Sequence, residues 1–118
     1  MAAKQHRILV VDDEDSMREL MEIVLGNDGY DVTTKRSVED ALEILQRESF
    51  DCVLTDLRMG SDRTAGMRLL GWLQENTPIT PALMMTAYGS VETAIEAMKH
   101  GALDYIMKPF KNDEIRLT

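Results

Sequence analysis

Ile8-Leu9-Val10-Val11-Asp12-Asp13-Glu14 is the stretch that decides the fold. Four aliphatic residues stand in a row with no polar residue between them, and three acids stop the run. An uninterrupted apolar run too short for a helix fits a strand buried on both faces, the kind found in parallel sheets covered by helices. From Ser16 onward the period changes. Met17, Leu20, Met21, Val24 and Leu25 follow helical spacing as far as Gly26-Asn27. A buried strand followed at once by an amphipathic helix is the first half of a strand-helix-strand unit, and the question is whether the unit recurs.

It does. Tyr30 to Lys35 is rich in β-formers, and Ser37 with Asp40 three positions on resembles a capping box before Val38, Ala41, Leu42 and Leu45. Cys52-Val53-Leu54-Thr55 forms a third strand. A polar, glycine-containing stretch from Gly60 to Gly66 then leads into a helix carrying Met67, Leu70, Trp72 and Leu73. Ala82-Leu83-Met84-Met85-Thr86 follows two prolines and forms the fourth strand. Ser90 opens a helix bearing Val91, Ala94, Ile95 and Met98, and Gly101 ends it at a left-handed cap position. Tyr105-Ile106-Met107 makes a fifth strand. The segment from Asn112 to Thr118 starts like a helix and stops after about two turns, so a fifth helix is expected to be incomplete. Alternation of this kind predicts an α/β fold with a doubly wound parallel five-stranded sheet.

Length and composition agree. The 118 residues suit one domain spanning 1–118, with no repeat, linker or low-complexity tract to divide it. Hydrophobic residues at 44% and charged residues at 29% give an ordinary globular balance. Thirteen Lys and Arg against 21 Asp and Glu leave a net charge of −8, which repels phosphate backbones and argues against direct nucleic-acid binding. No apolar run approaches the length of a membrane span or signal peptide, and the lone Cys52 excludes an internal disulfide. A cytoplasmic location is the expectation. His100 fits a helix cap, His6 lies outside any helix-bundle context, Cys52 begins a buried strand, and most of the nine methionines fall on core positions.

In a doubly wound sheet, ligands gather beyond the carboxyl ends of the strands. Those positions hold Asp12-Asp13-Glu14, Asp56, Thr86 and Lys108. Clustered carboxylates repel unless a hard cation neutralises them, and magnesium suits a site of one or two carboxylates, waters and a phosphate. An Asp carboxylate becomes a useful nucleophile toward phosphorus when a metal and a lysine offset the charge on the transferring oxygens. Asp56 is the candidate nucleophile. Taken singly, Asp12-Asp13 also fits a helix cap, Thr86 a turn and Lys108 a solvated surface. Convergence on one edge separates them from those bland roles.

The motifs Val10-Val11-Asp12-Asp13-Glu14, Leu54-Thr55-Asp56-Leu57-Arg58-Met59, Met85-Thr86-Ala87-Tyr88-Gly89-Ser90 and Lys108-Pro109-Phe110, in this order, resemble the receiver domain of bacterial two-component response regulators. Gly89-Ser90-Val91-Glu92-Thr93-Ala94 and Gly101-Ala102-Leu103-Asp104-Tyr105 resemble the nitrogen-regulator class of sigma-54-dependent enhancer-binding activators. The resemblance implies a flavodoxin-like (βα)5 fold with strand order 2-1-3-4-5. It implies that Asp56 accepts a phosphoryl group from a sensor histidine kinase, with magnesium held by Asp13, Asp56 and the backbone carbonyl of Arg58, and by Asp12 through water. Lys108 would pair with one phosphoryl oxygen and Thr86 with another, and Tyr105 would be the aromatic switch. Lys108-Pro109 would be cis. A homodimer through the fourth helix, fifth strand and fifth helix, and further ATPase and DNA-binding domains, are also implied.

One segment departs from that pattern. Gly60 stands where the family has Pro, and Gly66 comes two residues late, so the loop Gly60 to Gly66 is expected to be longer and more flexible and to alter kinase docking or phosphoryl lifetime. Arg58 and Tyr88 flank the site and could screen an acyl phosphate from water. Three other readings compete. A haloacid-dehalogenase-like phosphatase needs a second Asp two residues after the nucleophile, where Arg58 stands, so a turnover enzyme is not expected. A flavodoxin wants a hydroxyl- and glycine-rich loop after the first strand, where the acids stand. A structural pseudo-receiver would not need all five site residues.

Overall fold

The structure, a computed structural model, describes residues 5–86 and 90–107. Five strands and four helices alternate among them: β1 (Arg7–Val11), α1 (Asp15–Asn27), β2 (Asp31–Lys35), α2 (Val38–Leu45), β3 (Cys52–Asp56), α3 (Ala65–Asn76), β4 (Ala82–Thr86), α4 (Val91–Lys99) and β5 (Asp104–Met107). All neighbouring strands are parallel, in the order β2-β1-β3-β4-β5. The expected doubly wound α/β architecture is present. The expected incomplete fifth helix and the Lys108-Pro109 bond lie outside the described residues.

The period-two rule sorts each central strand onto two cores. Leu9, Val11, Val53 and Met84 point to the face where α2, α3 and Ala97 of α4 pack. Ile8, Val10, Leu54, Leu83 and Met85 point to the other face, against Met21, Val24 and Leu25 of α1. Apolar runs without alternation were therefore needed: both faces of β1, β3 and β4 are covered.

Local chemistry starts and stops the helices. Ser37 Oγ accepts the amide of Asp40 at 3.1 Å and caps α2. Ser90 Oγ accepts the amide of Thr93 at 3.1 Å, and Thr93 Oγ1 accepts the amide of Ser90 at 2.9 Å, completing a reciprocal capping box on α4. Gly101 takes φ +94 after α4, the left-handed region expected of it. One boundary differs from expectation: α3 begins at Ala65, so Gly66 is a helical residue and not the loop's end. A Cβ on Gly66 would collide with the Asp56 carbonyl oxygen. The glycine lets the first turn of α3 press against the end of β3.

Candidate functional site

Register builds the site. Val11 pairs with Thr55, so the residues that follow, Asp12 and Asp56, emerge side by side at the carboxyl edge. Asp56 is the last residue of β3 and sits opposite Met85, while Thr86 ends β4 opposite Met107. Asp56 and Thr86 are buried, 3% and 0% exposed. Carboxylate oxygens of Asp12, Asp13 and Asp56 lie within 4.8 Å of one another. Four of the expected residues thus share one edge. Lys108 and Tyr88 lie outside the described residues; Arg58 is half-buried two residues after Asp56.

Asp12 and Asp13 are held by their surroundings. Asp12, fully buried, accepts the amide of Glu14 on Oδ1 at 3.0 Å, and its backbone carbonyl receives Arg18 Nη1 at 2.8 Å. Asp13 Oδ2 accepts the amide of Gly60 at 2.7 Å. That bond depends on the departure from the family pattern, since a proline in the place of Gly60 has no N–H to give. Three carboxylates this close repel one another, and their all-oxygen donor set is the chemistry a hard divalent cation takes. The residues fit such an ion.

The loop leading from Asp56 to α3 carries more structure than its glycines suggested. Met59 and Asp62 exchange two backbone hydrogen bonds of 3.0 Å across a small bridge, with Gly60 at φ +59 in the turn. Asp62 Oδ1 accepts the Thr64 amide at 2.9 Å, and Asp62 also pairs with Arg68 of α3, which reaches Glu39 of α2 at 3.4 Å. The Thr64 amide and then Arg68 hold the Asp62 carboxyl below its ordinary range. The expected flexible loop is tied at both ends. No residue-by-residue pattern announced this, because the ties join residues 59 to 68 with Asp13 and Glu39, which only the fold brings close.

Tyr105 is half-buried on β5, and its hydroxyl lies 2.7 Å from Thr93 Oγ1 on the first turn of α4. Thr93 was not singled out from sequence, although the spacing Ser90-x-x-Thr93 marks a capping box. His100 is the C-cap of α4, as expected. Cys52 is packed beside the α1-side core, and burial pushes its thiol up to about 11, which fits an unreactive packing residue.

The family model described as the response regulator receiver domain matches residues 8–118. The chain belongs to the response-regulator receiver family. Among its relatives, the response regulator protein PilR of Pseudomonas aeruginosa is 44% identical over 112 residues, 95% of this chain and 25% of the relative. The transcriptional regulatory protein ZraR of Escherichia coli K12 is 43% identical over 111 residues, 94% of this chain and 25% of the relative. The receiver thus spans about a quarter of the length of the curated relatives it matches. Among solved structures, the beryllofluoride-activated NtrC4 receiver dimer superposes with a TM-score of 0.88 at 31% identity, covering 95% of this chain and 91% of that one. A Burkholderia pseudomallei response regulator with a phosphorylated aspartic acid, calcium ion and citrate superposes at 0.87 and 30% identity, covering 95% of this chain and 65% of that one. This receiver is a signalling domain of the response-regulator family. No helix among its described residues is long and apolar enough to cross a membrane.

Proposed function

We propose that Asp56 is the phosphoacceptor of this receiver. The single observation behind this is the convergence of Asp12, Asp13 and the buried Asp56 within 4.8 Å at the strand edge. A carboxylate oxygen of Asp56 attacks phosphorus, the bond from phosphorus to the imidazole nitrogen of a kinase phosphohistidine breaks, and an acyl phosphate forms. Asp13, Asp56 and the backbone carbonyl of Arg58 would hold Mg2+, with Asp12 acting through water. When bound, that ion supplies positive charge to the oxygens of the transferring group. Burial of Asp56 keeps bulk water from the acceptor, and the Gly60 amide holds the Asp13 carboxylate in place. Lys108, outside the described residues, would pair with one phosphoryl oxygen.

Thr86 would move to hydrogen-bond a second phosphoryl oxygen, and Tyr105 would then turn from half-exposed toward buried. The acyl phosphate acts by binding one conformation better than the other, which shifts their populations. The output would be a homodimer through α4, β5 and the following helix, controlling ATPase and DNA-binding domains of a transcriptional activator in the cytoplasm. The domain would form and lose its own acyl phosphate without being a turnover enzyme, and Arg58 in place of a second Asp agrees with that. Intact mass after incubation with magnesium and acetyl phosphate tests the assignment. The parent gains one phosphoryl mass and Asp56→Asn gains none; equal gain in both, or none in the parent, refutes it.

A further inference from the structure

The Thr93 hydroxyl is a junction between the start of α4 and β5. Its Oγ1 accepts the Ser90 amide at 2.9 Å, lies 3.1 Å from the Ser90 carbonyl oxygen and 3.2 Å from Ser90 Oγ, and pairs with the Tyr105 hydroxyl at 2.7 Å. A hydroxyl has one proton and two acceptor sites, and the Tyr105 hydroxyl, at the shortest of these distances, takes one of them. The bond from the Ser90 amide is one half of the α4 capping box, and the bond with Tyr105 ties β5 to it. Ser90 lies only four residues beyond Thr86 in the chain.

The helix that receives this tie is lightly held. Of its residues only Ala97 is buried, while Val91, Ile95 and Met98 are exposed. A helix with so small a buried face takes much of its position from its first turn. Tyr105 packs its ring against the α2–α3 side core from a half-buried position, and its hydroxyl is fixed at the outer end of that ring by Thr93.

We propose that Thr93 is a latch on the switch: it holds the Tyr105 hydroxyl at the first turn of α4, opposes the inward turn of the ring, and makes that turn and the start of α4 move together. The latch rests on the phosphoacceptor reading above, because the movement it opposes is the one phosphorylation drives. Breaking one such bond changes a two-state equilibrium by about two- to tenfold.

A double-mutant cycle isolates it. Beryllofluoride with magnesium is titrated against the 118-residue chain, and amide NMR signals of α4 and β5 report apparent affinity. Thr93→Val should tighten binding about two- to tenfold more where Tyr105 is present than in the Tyr105→Phe background. Damage to the capping box is common to both backgrounds and cancels. Thr93→Ser, which keeps the hydroxyl, should bind like the parent. Equal effects of Thr93→Val in both backgrounds, or no effect in either, would overturn the latch. A parent that neither binds beryllofluoride nor gains phosphoryl mass overturns the phosphoacceptor reading instead. In that case amide hydrogen exchange in the first turn of α4 still reads the tie: about two- to tenfold faster exchange in Tyr105→Phe supports it, and parental exchange removes it.

Discussion

α3 and α4 stand on the same face of the sheet and begin at the same edge, yet they are secured in different ways. α3 buries Ala65, Gly66, Leu69, Leu70 and Leu73, and its approach loop is tied by Asp62 to Arg68, by a backbone bridge and by Gly60 to Asp13. α4 buries Ala97 and is held at its start by a capping box and one hydroxyl pair. The difference teaches how, under the proposed function, one domain would combine a fixed site with a movable output. Carboxylates that must stay within a few ångströms stand beside the anchored helix. The residues assigned to switching stand beside the lightly held one, where a small change in free energy suffices to move them.

The comparison breaks first at the cores. Leu70→Ala on α3 should lower stability by about 3 kcal/mol, while Ile95→Ala on α4 should change it by less than about 0.5 kcal/mol. Thermal and urea unfolding of the two variants check the contrast, and similar losses would mean that α4 is anchored as firmly as α3. Next is the contact between α3 and the acceptor strand. Gly66→Ala forces a Cβ against the Asp56 carbonyl and should cost about 2 kcal/mol, with slower uptake of phosphoryl groups from acetyl phosphate. Parental melting and uptake would show that the first turn of α3 does not set the acceptor's position.

The smallest effect belongs to the loop and depends on pH. The Asp62 carboxyl titrates below its ordinary value because the Thr64 amide and Arg68 favour its charged form. Its contribution is therefore present above the unfolded-state value and is lost as pH falls through the lowered folded-state value. Asp62→Asn should lower stability slightly at neutral pH, with the difference from the parent vanishing in strong acid. A difference that persists unchanged into strong acid would assign the effect to shape and not to charge.

Much of this was legible along the chain because it depends on neighbours. Unbroken aliphatic runs marked β1, β3 and β4 as strands buried on both faces, Ser37 and Ser90 marked helix starts, and Gly101 marked a stop. Asp12, Asp13, Asp56 and Thr86 could be gathered at one edge because a parallel sheet places every strand's carboxyl end on the same side. The reason for a glycine at 66 was not legible, because it is the Asp56 carbonyl, ten residues earlier in the chain, against which the first turn of α3 packs.

Sequence alone thus determined the order of elements and the identity of the acidic edge, since periodicity, capping and strand polarity are local properties carried by each segment. Tertiary structure decided the ties: the Gly60 amide on Asp13, Asp62 with Arg68 and Glu39, and Thr93 with Tyr105. Each joins groups whose distance is set by how helices pack on a twisted sheet, and a hydrogen bond that forms or fails within half an ångström cannot be read from spacing along the chain.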